Sequence, residues 1–152
     1  MLKRAFTLIE LLVVIGILAV LMAGVVALID PVDKNRAAND AQMQSLVANA
    51  ATAEESYAAT HNGCYARTWA NLNTAGELKT ATPNIPSTGG YVAPTFTIGA
   101  VATCTNANET DSINVCANLK SKRYTGPATP NWHYDSISGK TCATVNCTDA
   151  CP

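Results

Sequence analysis

Charge is missing from one stretch of this chain and cysteine from another. Between Phe6 and Ile29 the only formally charged residue is Glu10, and no cysteine precedes Cys64. The first absence excludes an ordinary surface helix, which would keep a polar face. The second divides the chain, because six cysteines confined to one part place that part in an oxidising compartment. A basic excess is also lacking: the formal net charge is −1 over 152 residues, so no global field attracts nucleic acid. Histidine is limited to His61 and His133, and no C-x-x-C pair accompanies them, which argues against a zinc centre. No glycine-rich phosphate loop and no serine or cysteine nucleophile motif is found. The residues therefore imply neither an enzyme nor a bound cofactor or metal.

What is present begins with the apolar run. Residues 6–29 exceed the roughly 20 apolar residues needed to span a bilayer. Lys3 and Arg4 precede them, which places the N-terminal end in the cytoplasm and everything after Asp30 outside. That topology agrees with the cysteine distribution. The run is longer than the apolar core of about 7–15 residues in a removed secretory signal, and no small-x-small site closes it. Glu10 is the anomaly, since a carboxylate at a helix centre in lipid costs on the order of 3 kcal/mol. A cut between Ala5 and Phe6 would change its setting. Glu10 would become the fifth residue of a new helix with a free amine one turn away, and the two charges could neutralise each other within a chain or between neighbours.

The stretch "KRAFTLIELLVVIGILAVL" resembles the class III signal and N-terminal helix of type IV pilins and their pseudopilin relatives. The resemblance implies cleavage after Ala5 by a membrane prepilin peptidase, N-methylation of Phe6, and a role for Glu10 in docking subunits. Ala5 stands where that family most often has glycine. It further implies a structural subunit that forms a homopolymer, with minor pilins as additional partners. Such a subunit is a single-pass protein of the inner (cytoplasmic) membrane before assembly and an extracellular pilus afterwards. A pseudopilin of a type II secretion or DNA-uptake system is the alternative within the family. A membrane-tethered adhesin or binding domain that never polymerises is the alternative of another class.

Beyond the run, Asp30-Pro31 has the chemistry of a helix start, with Asp as cap and Pro at the first helical position. Pro31 within one long helix would instead kink it, and a continuous, bent helix over about residues 6–60 is the favoured expectation. Met43, Leu46, Val47, Ala50, Ala53 and Tyr57 recur at helical spacing, with Asp40, Gln44, Asn49, Glu54 and Glu55 largely between them. Asn62-Gly63 ends the helix. A short helix is expected near Trp69–Ala75, with Trp69, Leu72 and Leu78 on its buried side. The period then becomes two in "TFTIGAVAT", "SINVCANLK", "NWHYDS" and "ISGKTCATV", the last with a turn at Ser138-Gly139. The expected fold is α+β: a long, partly transmembrane N-terminal helix whose C-terminal half packs on a small antiparallel head, as in pilins. The divisions are a leader over 1–5, a membrane or filament-core helix over 6–29, an amphipathic helix over 30–62 and a head over 63–152.

Large apolar side chains are few in that head, so covalent staples are expected. Cys64, Cys104, Cys116, Cys142, Cys147 and Cys151 read as three disulfides of unspecified pairing. Asn108 and Asn146 fit the N-x-S/T acceptor pattern, which recurs by chance in Asn- and Thr-rich sequence. Lys120, Lys122 and Arg123 form the basic cluster, a solvated loop or a non-specific phosphate contact to nucleic acid. "NCTDACP" offers only Asp149 toward a calcium loop.

Overall fold

Helix propensity and apolar content act together over Leu8–Leu28, which form α1, while the second helix, α2, runs from Pro31 to Thr60. The computed structural model describes residues 6–28, 30–99, 103–126 and 130–152. The chain divides into two units, Met1–Lys34 and Asn35–Pro152. The long helix expected over about residues 6–60 is described as two successive segments, α1 and α2. Asp30 is outside both and caps the second: its Oδ1 accepts from the Asp33 amide at 3.1 Å and its carbonyl from the Lys34 amide at 3.1 Å. Pro31 then occupies a first-turn position where its missing N–H removes nothing.

In the second unit α2 supplies one wall of the core. Met43, Val47, Ala50 and Ala51 are buried against Tyr91, Val115, Ala117, Leu119 and Tyr134, with Leu46, Phe96 and Trp132 at the margin. A smaller cluster gathers Ala53, Tyr57, Ala66 and Leu72. The helix ends where Asn62 and Gly63 both turn left-handed, at φ 56° and 81°. The Gly63 amide reaches back to the Ala58 carbonyl at 2.9 Å, a bond that closes the last turn. Two polar residues of α2 depart from expectation: Asp40 and Glu54 are not between the helix and solvent but buried.

Short elements follow: β1 (Tyr65–Ala66), α3 (Trp69–Thr74), β2 (Thr95–Ile98), β3 (Glu109–Thr110), β4 (Ile113–Asn118), α4 (Lys122–Thr125), β5 (Asn131–Asp135) and β6 (Lys140–Thr144). Thr68 caps α3 by accepting the Asn71 amide. The four strands anticipated from the period of two are β2, β4, β5 and β6, an antiparallel sheet in the order β2-β4-β5-β6. The predicted continuation of the first beyond Gly99 falls on residues 100–102, outside the described ones. Gly139 (φ 65°) takes the left-handed position of the β5–β6 turn. The pair β1-β3 was not anticipated. The arrangement is the expected α+β layout of a pilin-like fold.

Register assigns the two sheet faces. Phe96, Val115 and Tyr134 are cross-strand neighbours, as are Ala117 and Trp132, and this face meets α2. The opposite face carries a row in which Cys116 pairs with His133 and His133 with Cys142. Three disulfides complete the unit: Cys64–Cys104, Cys116–Cys147 and Cys142–Cys151. The last two fasten the segment after β6 to the second face, which explains why β4 is buried on both sides at Val115, Cys116 and Ala117.

Candidate functional site

The N-terminal segment places Phe6 and Thr7 just before α1, with Glu10 in its first turn. Ala5 lies outside the described residues. Thr7 and Glu10 form a reciprocal capping box. The Thr7 amide and the Thr7 hydroxyl both donate to Glu10 Oε2 at 2.9 Å, and the Glu10 amide donates to Thr7 Oγ1 at 3.3 Å. Sequence reasoning missed this pairing, although "TLIE" is the T-x-x-E pattern of such a box. Glu10 thus has an intrachain role in helix initiation beside the amine partner considered above. Among the described residues no partner is found for Oε1.

Downstream of Glu10, α1 is apolar around its circumference and exposed over its described side chains. The stretch Leu8–Val26 has a mean hydropathy of 2.8 with none of it buried, long and apolar enough to cross a membrane. Each exposed apolar side chain forgoes about 25 cal/mol per Å² of burial. This helix therefore demands lipid or other apolar surfaces around it. The helix and the motif below fit a membrane-anchored protein.

In the second unit the polar residues act as fasteners. Asp40 is buried and accepts three hydrogen bonds from two chain regions: Oδ1 takes the Tyr91 hydroxyl at 2.6 Å and the Lys120 amide at 2.8 Å, and Oδ2 takes the Ser121 amide at 2.8 Å. Its charge and the burial of the ring push the Tyr91 phenol up, burial being the larger cause. Glu54 is buried with Oε2 on the Ala66 amide at 2.8 Å, and Oε1 has no partner among the described residues. Desolvation pushes its carboxyl up to about 8. The neighbouring Glu55, exposed as expected, accepts the Tyr134 hydroxyl at 3.2 Å. Tyr57 donates to Glu109 at 3.1 Å, and burial with that carboxylate raises the phenol to about 12.

The remaining sequence candidates are dispersed. His61 stacks on Tyr57 with ring centroids 3.7 Å apart at the end of α2, whereas His133 is buried in β5. Lys122 and Arg123 are on α4, with the Arg123 guanidinium 5.5 Å from the Tyr124 ring centroid, and Lys120 contributes its backbone amide to Asp40. Asn108 and Asn146 are both exposed. Asp149 closes its own loop by accepting the Asn146 amide at 2.9 Å.

Residues 1–26 match the family model described as the prokaryotic N-terminal methylation motif. This is the class III signal segment of type IV pilins and pseudopilins, and it points to a structural subunit. Comparison with curated proteins gave no match, and comparison with solved structures gave none.

Proposed function

We propose that this chain is a prepilin, the structural subunit of a type IV pilus or related filament. It is cleaved between Ala5 and Phe6 by a prepilin peptidase, N-methylated at Phe6, and polymerised through its N-terminal helix. The observation that carries the reading is α1 itself. A helix apolar on all sides and opened by a Thr7–Glu10 capping box carries the methylation motif over its start. Before assembly lipid covers the helix; in the filament, helices of other copies replace the lipid. The capping box holds the Glu10 carboxylate in the first turn through Oε2 and leaves Oε1 for the amine of a processed neighbour. Such a pairing offsets the cost of burying the charge. The disulfide-stapled unit then forms the outer surface, with a structural rather than catalytic role.

Two measurements test this. Mass spectrometry of sheared filaments is expected to show a chain beginning at methylated Phe6; a chain that keeps Met1, or starts beyond residue 20, refutes the reading. Glu10→Ala is expected to insert and be processed but to yield few filaments. Wild-type filament yield from that variant contradicts the docking role.

A further inference from the structure

The second face of the main sheet holds a histidine in an unusual position. His133 is fully buried between Cys116 of β4 and Cys142 of β6. Its Nδ1 lies 3.0 Å from Thr144 Oγ1, and that hydroxyl donates to the Asn146 carbonyl at 2.8 Å. A hydroxyl has one proton to give. Thr144 must therefore accept from His133, so Nδ1 carries the hydrogen and Nε2 presents a lone pair. That lone pair faces the bridge, with Cys151 Sγ at 3.6 Å and Cys142 Sγ at 4.0 Å. A disulfide sulfur has no proton, so in the oxidised protein this buried acceptor has no donor among the described residues. A buried acceptor without a donor carries a desolvation penalty that a new hydrogen bond removes. Opening the bridge supplies that bond as a thiol S–H.

We propose that Cys142–Cys151 is a thiol-exchange site, opened by an external thiol, with His133 holding the released Cys151 sulfur. Access and proximity agree on the direction. Cys142 is half-buried and Cys151 is buried, so the incoming thiolate reaches Cys142. It forms a new S–S bond to Cys142 Sγ as the Cys142–Cys151 bond breaks. The electron pair goes to Cys151 Sγ, which takes up the proton that the incoming thiol released to water. The resulting S–H turns to His133 Nε2, the nearer contact. A second external thiol then resolves the mixed disulfide, so two thiols become one disulfide and the protein bridge becomes two thiols. Cys64–Cys104 has the opposite setting: the Asp111 carboxylate stands beside both sulfurs, and a negative neighbour disfavours a departing thiolate. After exchange Cys116–Cys147 still ties Cys147 to β4, so only the residues beyond it are released.

The test is a glutathione titration of the full-length chain in detergent, quenched by alkylation and read by peptide mapping. The Cys142–Cys151 bridge is expected to open at a lower glutathione level than the other two, with the mixed disulfide on Cys142. His133→Asn keeps an N–H donor for Thr144 but has no acceptor in place of Nε2. It is expected to raise the glutathione level needed for opening roughly fivefold, the weight of about one buried hydrogen bond. An adduct on Cys151, earlier opening of Cys64–Cys104, or an unchanged midpoint in folded His133→Asn each overturns the proposal. Should that variant not fold, the order of opening and the adduct position in the wild-type chain decide.

Discussion

Glu54 illustrates how a single residue can oppose its own helix pattern. It is fully buried, has one oxygen on the Ala66 amide, and has a pKa raised from 4.5 to about 8 by desolvation. The native state therefore holds this proton up to about pH 8, whereas the unfolded chain releases it near 4.5. The stabilisation it contributes is full below pH 4.5 and is lost as pH rises to about 8, because the native state binds the extra proton in that window. Thermal melts of the wild-type chain are expected to fall by roughly 5–10 °C between pH 5 and pH 9. Glu54→Gln is expected to flatten that fall; an unchanged pH profile in the variant counts against the assignment. Spacing alone separates Glu54 from exposed Glu55, because Glu54 follows Val47 by seven residues and Ala50 by four and so shares their buried face; its partner, the Ala66 amide, arrives only through tertiary packing. Thr7 and Glu10 were different, because their pairing is written in four consecutive residues.

At the scale of elements, periodicity served where an element was long or half-buried. The α2 stripe of Met43, Val47, Ala50 and Tyr57 lies in the core as its spacing implies. Met43→Ala is expected to cost about 2–4 kcal/mol in denaturant unfolding, as a fully enclosed side chain leaves a cavity. Leu46→Ala, at the half-buried margin, is expected to cost less than half as much. The four strands of the main sheet were legible for the same reason. The two-residue strands β1 and β3 were not, because two residues contain no period. The break before Pro31 was legible in its chemistry but not in its outcome. An aspartate cap and a kinking proline share the same dipeptide, and only the bond from the Asp33 amide to Asp30 separates them.

For the whole molecule, the number of disulfides was readable and their partners were not. Pairing depends on which strands become neighbours, and Cys116, Cys142, Cys147 and Cys151 meet only because β4, β5 and β6 assemble in register. Among the described residues, every buried one lies at Asp40 or beyond. A fragment spanning 35–152 is therefore expected to fold as a soluble, monomeric unit with all three disulfides when secreted to an oxidising compartment. Aggregation of that fragment with scrambled disulfides would contradict the division at Lys34. Asp40 has a consequence for how such a unit reaches its native state. Its carboxylate is stable in the core only when Tyr91, Lys120 and Ser121 are all in place, and these arrive from chain positions some 50 to 80 residues away. Partial docking of α2 would strand a naked charge, so the helix and the loop after β4 must lock together in one step. The amides of Lys120 and Ser121 thus become timekeepers: their exchange with solvent deuterium follows the opening of the entire unit, not local fraying.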